Sequence, residues 1–176
     1  MNATTDIIGR LTQAGLKPPR MVTMAVTNRC NLRCRHCWPD SGPDELAPLV
    51  PKDRVLGLIA DFSALGAEKF VITGGEPLLH PDWLEILTFA CAQPDIREVR
   101  LQTNATLLTS RHVDALLSLK DRGLIVQTSL EGAHPGPHDH VRGADSFRQT
   151  MQGLKRLEEK GMARHICITF TEMKHN

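Results

Sequence analysis

Met21-Val22-Thr23-Met24-Ala25-Val26-Thr27 runs, two residues later, into Cys30-Asn31-Leu32-Arg33-Cys34-Arg35-His36-Cys37. The first run is apolar and β-branched and reads as a strand. The second carries three cysteines at i, i+4 and i+7, so their thiolates can close on one metal centre with little chain between them. The count of three is informative. Ferredoxin-type iron–sulfur clusters take four cysteines, one per iron. A Cys-x3-Cys-x2-Cys run can hold three irons of a [4Fe–4S] cube and leave the fourth open to a substrate or cofactor, as a three-ligand zinc site keeps a position free. The same residues also read as a structural zinc site, with His36 or a distant cysteine as fourth ligand. His36 stands one residue before Cys37, a poor offset for joining one tetrahedron. Cys91 and Cys167 are isolated in apolar surroundings and read as core residues.

Outward from this stretch the chain alternates. Residues 4–14 read as a short amphipathic helix with Ile7, Ile8 and Leu11 on one face, ended by Gly15 and Pro18-Pro19. Trp38 to Pro43 is turn chemistry. A helix is expected over 51–65, a strand over 68–73, a helix over 81–92 and a strand over 97–103. A helix over 110–120, a strand over 124–130, a helix over 146–160 and a strand over 164–171 follow. The segment 133–143, with His134, His138, Asp139 and His140, reads as a polar, solvated lid; a second metal there is the alternative. Strand alternating with helix is the pattern of parallel βαβ units. The fold class is therefore α/β, with about four βα units and a fifth parallel strand.

In such folds ligands sit at the carboxyl ends of the strands. The cysteine run follows the first strand and Gly74-Gly75-Glu76-Pro77 the second. Thr103-Asn104-Ala105 follows the third, Ser129-Leu130-Glu131-Gly132 closes the fourth, and Thr171-Glu172 ends the fifth. The unusual clusters thus converge on one rim. Gly74 and Gly75 leave their backbone open to a ligand. Glu76 adds negative charge there, which suits a cationic group such as an ammonium.

Composition sets the bounds. A chain of 176 residues can bury a real core as one domain, and its net charge of +1 with few aromatics offers no nucleic-acid surface. No apolar run reaches membrane-spanning length, and residues 1–20 lack a secretory h-region. Five cysteines in such a chain point to reduced thiols, and the expected location is the cytoplasm.

Cys30-x3-Cys34-x2-Cys37 followed by Gly74-Gly75-Glu76-Pro77 on a βα scaffold resembles the radical S-adenosylmethionine (SAM) superfamily. The pairing favours that reading over zinc; the alternative is a non-catalytic metal-binding module, either a structural zinc domain or an inactive fragment that holds a cluster. The resemblance implies that Cys30, Cys34 and Cys37 bind a [4Fe–4S] cluster whose fourth iron takes the amino nitrogen and carboxylate of SAM. It places His36 near the adenine, Gly74 to Pro77 at the SAM amino group and Ser129 near the ribose or carboxylate. Glu131 stands where the family often has Asp. Arg142, in the run His138 to Gly143, is implied as a partner of the SAM carboxylate, and Asn104 as a contact to cofactor or substrate. The implied chemistry is one-electron cleavage of SAM to methionine and a 5′-deoxyadenosyl radical, which abstracts hydrogen from a substrate. A one-electron donor such as flavodoxin or ferredoxin is implied, with a peptide or small molecule as substrate, in peptide modification or cofactor biosynthesis. Arg29, Arg33 and Arg35 flank the thiolates, either as ordinary solvated side chains or as a surface for an acidic donor. Ser129 to Gly132, the His-Asp and Arg-Gly elements and Ser146-Phe147 resemble the SPASM-type branch. The family core usually has six βα units, so residues 21–176 are expected to be a core cut short at the C-terminus, with 1–20 a helical lead-in and a fragment less stable than the whole.

Overall fold

A computed structural model describes residues 3–46 and 49–171. The described elements are α1 (Ala3–Gln13), β1 (Met21–Ala25), α2 (Lys52–Ala64), β2 (Lys69–Thr73), α3 (Trp83–Cys91) and β3 (Glu98–Gln102). α4 (Ser110–Leu117), β4 (Leu124–Leu130), α5 (Pro135–Arg142), α6 (Ser146–Glu159) and β5 (Ile166–Phe170) follow. The strands form one sheet in the order β1-β2-β3-β4-β5, and every neighbouring pair is parallel. Each strand lies beside its predecessor, as sequential crossovers in a partial barrel require. The α/β reading with five parallel strands in one unclosed sheet is borne out.

The two faces of the sheet differ because side chains alternate along a strand. Phe70 and Ile72 of β2, Val99 and Leu101 of β3, and Leu124 and Val126 of β4 are buried under the helices. They pack with Val55 and Ile59 of α2, Ile86 and Leu87 of α3, Val113 and Leu116 of α4, and Leu154 and Leu157 of α6. Each such side chain contributes about 1.5–3 kcal/mol by leaving water. The other face is polar. Lys69 and Arg100 flank Glu98, and Arg100 also donates to Gln127, which reaches Thr169 on β5.

Local chemistry sets the ends of the elements. Thr109 caps α4, and His112 returns a bond to the cap. Gly123 opens β4 at φ 80°, where an added Cβ would lie 2.3 Å from the Arg97 carbonyl. The helix expected over 81–92 is α3, Trp83–Cys91, and a 3₁₀ turn over Pro77–Leu79 precedes it.

The segment 133–143 departs from the expectation of a solvated lid. It forms α5, opened by Pro135 and Pro137, whose fixed φ suits a first turn. Its His138 is fully buried, edge-on to Phe147 of α6. Polar composition suggested a loop, but Val141 and His138 give the segment an inner side that docks on α6. On β5, Ile168 and Phe170 are about half exposed. Glu172 and the side chain of Ile8 lie outside the described residues.

Candidate cofactor site at the strand ends

The chain leaving β1 is zipped to the chain leaving β2. Val26 N–H donates to the Thr73 carbonyl at 2.9 Å, Gly75 N–H to Thr27 at 2.8 Å and Glu76 N–H to Arg29 at 2.7 Å. This ladder explains both glycines. A Cβ on Gly74 would lie 2.3 Å from the Thr27 carbonyl oxygen, and one on Gly75 would lie 2.3 Å from that of Arg29. The space their missing side chains leave is thus filled by the approach to the cysteine loop, which is drawn over the rim of the sheet. Backbone then shapes the loop itself: Cys30 N–H donates to Gly42, and Cys37 N–H to the Cys34 carbonyl. Ser41 and Glu45 hold Asn28 from the returning strand of the loop.

Beneath the loop is a cavity of about 140 Å³. Cys30, Cys34, Cys37 and His36 form its roof. Gly74, Gly75, Asn104 and Ser129 come from three strand ends, and Arg142 from α5. Thr73, Gln102 and Thr103 also line it; Thr103 belongs to the cluster expected after the third strand, whereas residue type alone did not single out Thr73 and Gln102, the last residues of β2 and β3. A larger apolar groove, about 900 Å³, runs between α6 and β5 and contains none of these groups.

Glu76 and Pro77 do not line the cavity; both are buried behind it. The Glu76 carboxylate accepts from Leu78 N–H (3.1 Å) and Thr103 Oγ1 (2.8 Å) at one oxygen and from Asn104 N–H (2.8 Å) at the other. Burial pushes its pKa up to about 7, against the pull of those three donors. Glu76 is therefore a clamp between the ends of β2 and β3, and offers no open negative charge to a ligand.

Glu131 has a similar bridging place. Its carboxylate is nearly inaccessible and takes Arg142 at 2.6 Å and His36 Nε2 at 3.2 Å. Its own N–H donates to His138 Nδ1, while His138 Nε2 has no hydrogen-bond partner among the described residues. The side chains at 36 and 142 are thus both oriented by the residue at 131. Arg35 extends the seam between loop and helix, through its N–H to the Val141 carbonyl and its guanidinium to His140.

The thiols differ. Cys30 is buried, and Cys34 and Cys37 are partly exposed. Burial raises the Cys30 thiol and pushes Cys34 up to about 11, with the Arg142 charge acting in the opposite sense on Cys34. Cys30 Sγ accepts from Leu32 N–H at 3.4 Å, and Cys37 Sγ from Ser41 N–H at 3.3 Å. Three thiols beside one cavity, with N–H groups already aimed at two of the sulfurs, fit an iron–sulfur centre. Among the described residues no three Cys, His, Asp or Glu side chains gather as a single ion would require. A cluster that gives each thiolate its own iron does not require it.

The family profile described as Radical SAM superfamily matches residues 24–173. The antilisterial bacteriocin subtilosin biosynthesis protein AlbA of Bacillus subtilis (strain 168) is 32% identical over 157 residues, 88% of this chain and 34% of that protein. A GTP 3′,8-cyclase of Listeria monocytogenes serotype 4b is 33% identical over 146 residues, 80% of this chain and 42% of that enzyme. The chain thus spans less than half the length of these relatives. Streptococcus suis SuiB bound to S-adenosylmethionine superposes with a TM-score of 0.78 over 98% of this chain and 39% of that one, at 22% identity. The structure of anSMEcpe with bound AdoMet and a peptide gives a TM-score of 0.67 over 87% of this chain and 42% of that one, at 19% identity. These likenesses establish the shared fold, and the profile match over most of the chain shows that it belongs to the Radical SAM superfamily.

Proposed function

We propose that this chain is the cofactor-binding core of a radical SAM enzyme. The observation that carries the proposal is the convergence of Cys30, Cys34 and Cys37 with Gly74, Gly75, Ser129 and Arg142 on one cavity at the strand ends. When bound there, a [4Fe–4S] cluster and SAM supply one-electron cleavage of the sulfonium, giving methionine and a 5′-deoxyadenosyl radical that takes hydrogen from a substrate. The three cysteines hold the cluster as thiolates. The backbone of Gly74 and Gly75 faces the SAM amino group, Ser129 the ribose or carboxylate, and His36 the adenine. Arg142 neutralises the SAM carboxylate while Glu131 fixes its direction. Glu76 and Pro77 act from behind this wall, and Asn104 lines it beside Cys30. Burial of the site under the cysteine loop restricts water around reactive species.

We take the substrate to be a peptide or a polar small molecule, reached through the polar face of the sheet where Arg100, Glu98 and Gln127 lie. AlbA, a bacteriocin biosynthesis protein, and the solved complex of SuiB with precursor peptide SuiA support the peptide class. The relatives named GTP 3′,8-cyclase support a nucleotide as the second reading. A SPASM-type member, a flavodoxin- or ferredoxin-like electron donor, a cytoplasmic location and a core over 21–176 preceded by a lead-in over 1–20 belong to the same proposal. Among the described residues no helix is long and apolar enough to cross a membrane.

The test is SAM cleavage. The chain is reconstituted with iron and sulfide without oxygen and given dithionite and SAM, beside Cys34→Ala. The expected result is 5′-deoxyadenosine from the parent and none from the variant. Tightly held zinc in place of iron would sink the proposal and return the site to a structural metal module.

A further inference from the structure

We infer that Asn104 is a positioning residue that sets the reduction potential of the cluster through an N–H···S bond to Cys30. The inference rests on the cluster assignment above. Asn104 Nδ2 lies 3.8 Å from Cys30 Sγ and 3.0 Å from Asn31 Oδ1. Its Oδ1 accepts from both the N–H (2.9 Å) and the hydroxyl (2.7 Å) of Thr106. That pair of donors fixes the sense of the carboxamide: oxygen toward Thr106, amide hydrogens toward the cysteine loop. Asn31 agrees, since its own Nδ2 donates to Thr106 Oγ1 at 2.8 Å.

The backbone is held as firmly. Asn104 N–H donates to buried Glu76, and its carbonyl accepts from Thr150 of α6 at 2.9 Å. The next residue, Ala105, is held at φ 64°, and α6 can approach it only because Gly153 has no Cβ, which would lie 2.2 Å from the Ala105 carbonyl oxygen. A left-handed alanine persists where its surroundings over-determine it. Four elements thus fix one amide beside one sulfur.

The placement is selective. Cys30 is the buried cysteine of the three and receives two donors, from Leu32 and Asn104; Cys37 receives Ser41 N–H. A donor aimed at a thiolate sulfur stabilises the more negative, reduced state and raises the potential, most strongly away from water. Removing the donor makes the cluster harder to reduce.

The experiment is EPR-monitored potentiometry of the reconstituted chain without SAM, on the parent, Asn104→Ala, Asn104→Asp and Thr150→Val, with iron and sulfide counted in each. At a fixed solution potential, the reduced-to-oxidised ratio is expected to fall about three- to tenfold in both Asn104 variants, the weight of one hydrogen bond. Thr150→Val loses a bond to the same residue but keeps the amide, and is expected to reduce like the parent. Unchanged reduction in iron-replete Asn104 variants would overturn the inference. So would an equal fall in Thr150→Val, which would make the effect one of packing. Loss of iron from both Asn104 variants would overturn it as well, because it would make the residue a requirement of assembly. A parent that holds no iron–sulfur cluster fails earlier and separately, at the cofactor assignment.

Discussion

Replacing Glu76 by Gln separates a structural clamp from an open ligand-binding charge. Gln keeps the shape but offers one acceptor in place of two. With its oxygen toward Leu78 N–H and Thr103 Oγ1, its amide nitrogen meets the Asn104 N–H that Oε2 accepts at 2.8 Å. One buried N–H is orphaned, at a cost of about 1–3 kcal/mol. The pH dependence carries a second signature. The wild-type carboxyl titrates at about 7 when folded, against an ordinary 4.5. An acid with a raised folded pKa lends stability that is fully present below its unfolded value and lost as pH rises through its folded value. At about 1.4 kcal/mol per pH unit, the wild type loses about 3 kcal/mol relative to the variant between pH 4.5 and 8. Urea unfolding of both proteins, iron-free and with thiols reduced, followed by circular dichroism across that range, reads the difference directly. Other titrating groups cancel in the comparison. A difference that stays flat with pH would refute the reasoning, because it would mean that the three donors outweigh burial and keep Glu76 ionised throughout.

Two further substitutions test the wall of the site. Gly75→Ala sets a Cβ 2.3 Å from the Arg29 carbonyl oxygen and 2.6 Å from its carbon, both backbone. It is expected to displace the cysteine loop and cost about 2 kcal/mol or more of stability, with iron loading reduced in parallel, measured by thermal melting and iron analysis. Glu131→Gln removes the charge from a nearly inaccessible carboxylate that holds the largely buried Arg142 and the partly exposed His36. Breaking such a buried pair costs about 3 kcal/mol, and SAM affinity measured by calorimetry on the reconstituted protein is expected to weaken as Arg142 loses its orientation. Unchanged SAM binding would remove Arg142 from the proposed carboxylate contact.

The sheet was legible because its signal is local. Apolar, β-branched runs ending in glycine or polar clusters, with helix-period segments between them, dictate parallel βα units without knowledge of neighbours. The cysteine triplet was legible for the same reason, since its spacing is a property of eight residues. α5 was not, because its composition is that of a loop and its helical state depends on burying His138 and Val141 against α6. The roles of Gly74, Gly75 and Glu76 also read differently in sequence. Small residues and a carboxylate at a strand end suggest an open ligand cradle, yet the glycines admit the backbone of residues 27–29 and the carboxylate binds the neighbouring strand end.

The sequence by itself determined the α/β order, the thiol triplet and the rim on which the polar clusters meet, because each follows from periodicity or spacing along the chain. Tertiary structure alone decided which side chains face the cavity and which stand behind it. Glu76 meets Thr103, 27 positions away, Glu131 meets His36, 95 positions away, and the amide of Asn104 reaches Cys30 across 74 residues. Burial and hydrogen-bond direction are set by whatever packs against a residue, and here near partners such as Thr106 and Arg142 act together with remote ones that spacing along the chain does not reveal.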